Sequence, residues 1–155
     1  MSIFDILLGN GKKAESGDSS DILLLESIKK HEGFRSRLYK CPAGKWSIGY
    51  GRNLEDCGLS EWEAEYLLKN DITCSKLELY TNFPWAEKLD SARKNVLIEM
   101  VFNMGISRFK GFKKMLAACQ KGEWDKAANE MLDSKWASQV KQRAKTLAEI
   151  MRKGN

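Results

Sequence analysis

The glycine-punctuated stretch from Gly33 to Gly58 constrains the fold most, because it interrupts a chain whose remaining patterns are helical. Glycine weakens helix interiors and serves where the backbone turns, so a continuous helix is excluded there. Between the glycines lie β-branched and aromatic residues. A segment at 37–41 is followed by the turn Pro42-Ala43-Gly44-Lys45 and by a segment at 46–50 in which Trp46, Ile48 and Tyr50 alternate. This pattern predicts a small antiparallel hairpin with a third short strand near 52–55.

Helical signals flank the hairpin. Ser20 or Asp21 caps a helix on which Leu25, Ile28 and Glu32 fall at i, i+3 and i+7, so Glu32 continues an apolar stripe. Leu59-Ser60-x-x-Glu63 reads as a capping box opening a helix over 60–80. Asp90 or Ser91 starts the most apolar helix, carrying Val96, Leu97, Met100, Val101 and Met104, and Gly105 ends it. Shorter helices are expected around 109–120, 124–132, 134–140 and 142–151. The fold class is therefore α+β, mainly α, and 155 residues suit one domain. We expect a sheet lobe at 33–59, a connecting helix at 60–80 and a helical lobe at 82–155, with a cleft between the lobes. Residues 1–20 read as an extension: a short amphipathic piece at 3–8, then a flexible linker at 9–20.

Composition narrows the function classes. Hydrophobic residues at 43% exclude wholesale disorder. No apolar run approaches the roughly 18 residues of a membrane span. A secretory signal is also lacking, so the chain is expected to stay in the cytoplasm where it is made. The net charge is +5, with basic blocks at 108–121 and 135–153, which are either solvated faces or an attraction for nucleic acid, an anionic membrane or an acidic wall polymer. Four cysteines without a C-x-x-C pair are expected as reduced thiols, with no disulfide framework, zinc site or other metal.

Three polar groups converge in this topology: Glu32 at a helix end, Cys41 where the first strand turns, and Ser47 on the second strand. A carboxyl on an apolar helical face is poorly solvated and holds a proton more readily, as a general acid must, whereas a solvated helix-end glutamate does not. Cys41 supplies a thiolate if a neighbouring cation such as Lys40, Arg52 or Arg143 favours it; otherwise it is an ordinary strand-end cysteine. Ser47 either orients a water or substrate hydroxyl or merely satisfies backbone groups. It sits opposite Cys41 if residues 42–46 form the loop, a register that the sequence leaves open. His31, the single histidine, points about 100° away from Glu32 around the helix and is set aside as a surface residue.

Glu32-Gly33-Phe34-Arg35, Tyr39, Cys41, Gly44, Ser47-Ile48-Gly49-Tyr50-Gly51, Leu59-Ser60 and Glu63-Ala64-Glu65 together resemble the phage-type lysozyme family (endolysins, muramidases; glycoside hydrolase family 24). The likeness continues through Val101-Phe102-Asn103-Met104-Gly105, Phe109, Phe112, residues 124–128, Ser134-x-Trp136 and Gln142-Arg143-Ala144, so it covers residues 21–152. The opening residues 1–8 also look like the start of such lysozymes, but there the catalytic glutamate follows within a few residues, whereas here a segment intervenes.

The resemblance implies a two-lobed lysozyme-like fold that hydrolyses the β-1,4 bond between N-acetylmuramic acid and N-acetylglucosamine in peptidoglycan during host lysis. It gives Glu32 the role of general acid. Cys41 stands where the family usually has aspartate, and Ser47 where it usually has a water-positioning threonine. Phe102, Arg143 and Asn53 are assigned to substrate binding, with Arg143 expected beside the Glu32 carboxyl and Phe102 either lining the saccharide cleft or packed in the core. The expected partners are peptidoglycan glycan strands and a phage membrane-permeabilising protein (holin) that releases the enzyme from host cytoplasm to the periplasmic wall. A monomer is expected, with no cofactor, no nucleic acid and no stable membrane insertion. The competing readings are a non-catalytic peptidoglycan-binding structural protein on a lysozyme scaffold, a nucleic-acid-binding helical protein, and a lytic transglycosylase acting on the same bond.

Overall fold

The computed structural model describes residues 19–154; the expectations for 3–8 and for most of the linker lie outside the described residues. Two compact units divide the chain after Ser60. In the first, α1 (Ser19–Glu32) leads into strands β1 (Arg35–Lys40), β2 (Trp46–Gly49) and β3 (Arg52–Asn53), and then a single helical turn, α2 (Leu54–Cys57). The second contains α3 (Glu61–Asn82), a 3-10 turn (Pro84–Lys88), α4 (Ser91–Met104), α5 (Ile106–Phe109), α6 (Lys113–Lys121), α7 (Trp124–Leu132), α8 (Lys135–Val140) and α9 (Gln142–Lys153). The mainly helical α+β expectation holds.

The sheet is antiparallel in the order β1-β2-β3. Its register decides what the sequence left open: Ser47 lies opposite Tyr39 and Trp46 opposite Lys40. The Cys41 N–H donates to the Lys45 carbonyl at 2.9 Å, so the loop is shorter than 42–46. Cys41 follows β1 directly, two residues on from Tyr39, which makes Ser47 a diagonal neighbour of Cys41. The third strand stops at Asn53, short of the expected residue 55, because the Asn53 side chain accepts from the Glu55 and Asp56 N–H groups and starts α2.

Little apolar surface is buried in this unit. Helix α1 buries no residue, and Ser47 is the one buried side chain among residues 19–60. The stripe residues Leu25 and Ile28 stand 53% and 45% exposed, and Glu32 is exposed as well. Apolar shielding of the Glu32 carboxyl is therefore not seen.

The second unit is built differently. Asp90 caps α4 by accepting from the Arg93 N–H, and Gly105 ends it at φ +77°, a conformation open to glycine. Val96, Leu97, Met100 and Val101 are buried along α4 and join Leu79, Phe109, Met131 and Met151 in one core. Each such side chain contributes about 1.5–3 kcal/mol by leaving water. The expected helix at 109–120 splits into α5 and α6, with Lys110, Gly111 and Phe112 between them. Arg93 binds this unit from the side. It pairs with Asp90 at 2.8 Å, donates to the carbonyls of Met151 and Arg152, each at 2.8 Å, and lies 4.1 Å over the Trp124 ring.

All four cysteines are free. Burial pushes the Cys119 thiol up to about 12. Among the described residues, no helix is long and apolar enough to cross a membrane.

Arg93 holds the end of α9 to the start of α4, so its loss leaves two carbonyls without their donor. Arg93→Ala is expected to destabilise the protein by about 2–4 kcal/mol. Lys69→Ala, which breaks only the exposed pair with Glu65, costs less than about 0.5 kcal/mol. Urea unfolding of both variants checks the contrast.

Candidate active site

Cys41 ends the first arm of the hairpin. The Lys45 backbone N–H beside its sulfur holds the thiol below its ordinary value against the opposing effect of burial, with smaller contributions in the same direction from the Ala43 backbone and the Ser47 hydroxyl. The turn that brings these groups round the sulfur is closed by the Gly44 N–H donating to the Cys41 carbonyl at 2.8 Å. These contacts shift Cys41 in the direction of its thiolate.

Ser47 is 1% exposed, and its Oγ meets no protein partner with full hydrogen-bond geometry, although it lies close enough to act on the Cys41 thiol. A buried hydroxyl of this kind costs about 1–3 kcal/mol unless a partner reaches it. The fold therefore holds a donor and acceptor beside Cys41 that no other protein group uses.

Glu32 stands at the end of α1, and its carboxyl lies against Gly51 in the turn between β2 and β3. A Cβ at Gly51 would come within 2.6 Å of Glu32 Oε2, and Gly51 has φ +78°. The position thus demands glycine both for its backbone and for the space that the carboxyl occupies. Gly51 was visible in the sequence only as part of a pattern. Its contact with Glu32 depends on a turn that no spacing rule fixes.

The three residues assigned to substrate binding fare differently. The Asn53 side chain is engaged in capping α2 and in donating to Asp56 Oδ2 at 2.8 Å. Phe102 is 40% exposed, which removes it from the core, and with Arg143, Glu99 and Ile98 it lines a groove of about 580 Å³ in the helical unit. Arg143 Nε donates to Glu99 Oε1 at 2.8 Å. Its observed carboxylate partner is therefore Glu99, a residue that the sequence reading missed.

The basic blocks also take a definite place. Arg108, Lys113, Lys114 and Lys135 line a second groove in the helical unit, of about 830 Å³, beside Trp136, whose Nε1 donates to Asn103 Oδ1 at 2.8 Å. None of these four cations has an ion-pair partner among the described residues. Glu130 and Asp133 share the lining, so cations outnumber carboxylates there and the groove's field is positive on balance.

Comparison with known proteins points the same way. A probable T4-type lysozyme 1 of Dictyostelium discoideum is 26% identical over 83% of this chain and 93% of its own length. An endolysin of Acyrthosiphon pisum secondary endosymbiont phage 1 is 29% identical over 71% of this chain and 74% of its own. The pre-baseplate central spike protein Gp5 of Enterobacteria phage T4 is 25% identical over 89% of this chain but only 29% of its own length. Residues 29–153, which hold Glu32, Cys41 and Ser47, match the phage lysozyme family, and the chain belongs to that family.

Proposed function

We propose that this lysozyme-type hydrolase cleaves the β-1,4 bond between N-acetylmuramic acid and N-acetylglucosamine in peptidoglycan, and that it serves as a phage endolysin. The observation that carries the reading is the cluster at the hairpin: a thiol held toward its thiolate, an unpartnered buried hydroxyl beside it, and Glu32 against the neighbouring Gly51 turn. Family membership supports the substrate class.

In this reading Glu32 donates its proton to the glycosidic oxygen as the bond breaks. Ser47 holds a water at the anomeric carbon, and the Cys41 thiolate takes the proton that this water gives up. The hydroxyl adds to the sugar, and proton exchange with solvent resets both groups. Phe102 supplies an apolar surface to the saccharide and Arg143 a cation steadied by Glu99. Asn53 acts indirectly, through the turn it caps. The cationic groove at Trp136 raises the encounter rate with the anionic wall. In the cell the enzyme waits in the host cytoplasm as a monomer until a holin opens the membrane, and it then works at the periplasmic wall.

Reducing sugar ends released from purified peptidoglycan test the reaction. Glu32→Gln, which keeps the shape and loses the proton, is expected to lower the rate about 10³-fold or more. Undiminished release would remove Glu32 from the chemistry, and wall binding without any release would favour the scaffold reading. The role of Cys41 fixes a pH dependence: a base must be deprotonated, so kcat/KM falls as pH drops through its pKa. Because an ordinary aspartate titrates near 3.9 and an ordinary cysteine near 8.5, Cys41→Asp is expected to extend activity toward acid by about two or more pH units, while iodoacetamide inactivates the unsubstituted enzyme and spares the variant. A fully active Cys41→Ala enzyme would refute the role. Gly51→Ala is expected to lower kcat about tenfold or more, because its methyl displaces the Glu32 carboxyl from a positioned geometry; steady-state kinetics beside a thermal midpoint separates this from lost stability.

A further inference from the structure

The reacting groups proposed above hang on a very short loop. Cys41 enters it, Ser47 lies just past its exit, and backbone bonds from Cys41 N–H to Lys45 O and from Gly44 N–H to Cys41 O close its base. Such a loop on a sheet with almost no apolar core needs to be held from outside. The pairing of β2 with β3 stops at Ser47 opposite Asn53. One residue further, at Trp46, the Glu55 carboxylate takes the place of a strand by accepting the Trp46 N–H at 2.5 Å.

Glu55 is itself held. It occupies the first turn of α2, where Asn53 Oδ1 accepts its N–H at 3.1 Å and that of Asp56 at 3.2 Å. Asp56 then reaches back to Lys45, with Oδ1 2.9 Å from the ammonium nitrogen. The ion pair is exposed on both sides and contributes little alone. A carboxylate on a backbone N–H with no strand partner is a stronger, charge-assisted contact, and it is the one nearest Ser47. Two residues of α2 thus grip two successive residues of the loop, Lys45 and Trp46.

We propose that Glu55 is a positioning residue of the active site: by fixing the Trp46 N–H it holds the loop so that the Lys45 amide faces the Cys41 sulfur and Ser47 stays beside it. The assignment of a reactive role to the loop rests on the proposed function, whereas the clamp itself rests on the bonds just described. Releasing the clamp frees the Lys45 amide, and the thiol moves back toward that of an unconstrained cysteine, near 8.5. Removing the negative charge of Glu55 has the opposite sign, since it favours the thiolate. Glu55→Ala and Glu55→Gln lose the same charge, but glutamine keeps an oxygen for the Trp46 N–H, so the pair isolates the clamp from the electrostatics.

The experiment is the pH profile of iodoacetamide alkylation at Cys41, read by mass spectrometry with Cys57 and Cys74 changed to serine; the Cys119 thiol, pushed up to about 12, stays silent. The titration midpoint of Glu55→Ala is expected to lie about one pH unit above that of Glu55→Gln. On peptidoglycan, Glu55→Ala is expected to lose about tenfold in kcat with KM within about twofold, and Glu55→Gln to recover most of that loss. Equal midpoints in the two variants overturn the clamp. A raised midpoint with unchanged kcat keeps the clamp and instead removes Cys41 from the reaction. Should Glu55→Ala fail to fold, Glu55→Asp, whose carboxylate is one methylene short of the Trp46 N–H, is compared instead with the same protein carrying Glu55, which has the same charge; a higher midpoint for Glu55→Asp supports the clamp and equal midpoints overturn it.

Discussion

Water reaches almost every side chain of the sheet unit, and this scarcity of apolar burial governs how its site is held. With Ser47 the one buried side chain among residues 19–60, order there comes from directional bonds: the ladder of β1, β2 and β3, the tight turn at Gly44, and the cap at Asn53. Such contacts have fixed geometry but modest net strength. They suit a site in which a thiol, a hydroxyl and a carboxyl must keep set positions on a very small scaffold.

The helical unit follows the opposite principle. Its core around α4 is apolar and contiguous, so small gains from many close-packed side chains add up. Polar contacts there serve as ties between elements: Arg93 joins the end of α9 to the start of α4, and Arg143 joins α9 to Glu99 on α4. What this unit offers to solvent is a groove carrying Phe102 and another rimmed with cations.

Much of this was legible in the sequence because it depends on local rules. The α4 boundaries followed from Asp90 as a cap and Gly105 as a stop, and α7 lies at the expected 124–132. The hairpin followed from its glycines and alternating residues. What escaped were long-range pairings. The register that sets Ser47 opposite Tyr39 depends on how many residues the loop spends. The partner of Arg143, Glu99, lies 44 residues earlier on another helix. The cap that Asn53 places on the turn after it, and the bond from the Trp46 backbone to the Glu55 side chain, leave no trace in residue patterns. The motif residues Glu32, Cys41 and Ser47 were legible as a set, while the groups that hold them were not.

The contrast between the two units carries over into temperature. Apolar surface exposed on unfolding raises the heat capacity by about 0.45 cal/K/mol per Å², so the helical unit carries nearly all of that change, and its stability curve is the more strongly bowed. Cooling weakens its core, as it weakens any apolar burial. The hairpin, with almost none to lose, keeps its hydrogen bonds in the cold and gives them up on warming. The scaffold proposed for recognition thus loses stability toward both heat and cold, while the residues proposed for chemistry lose theirs mainly on warming.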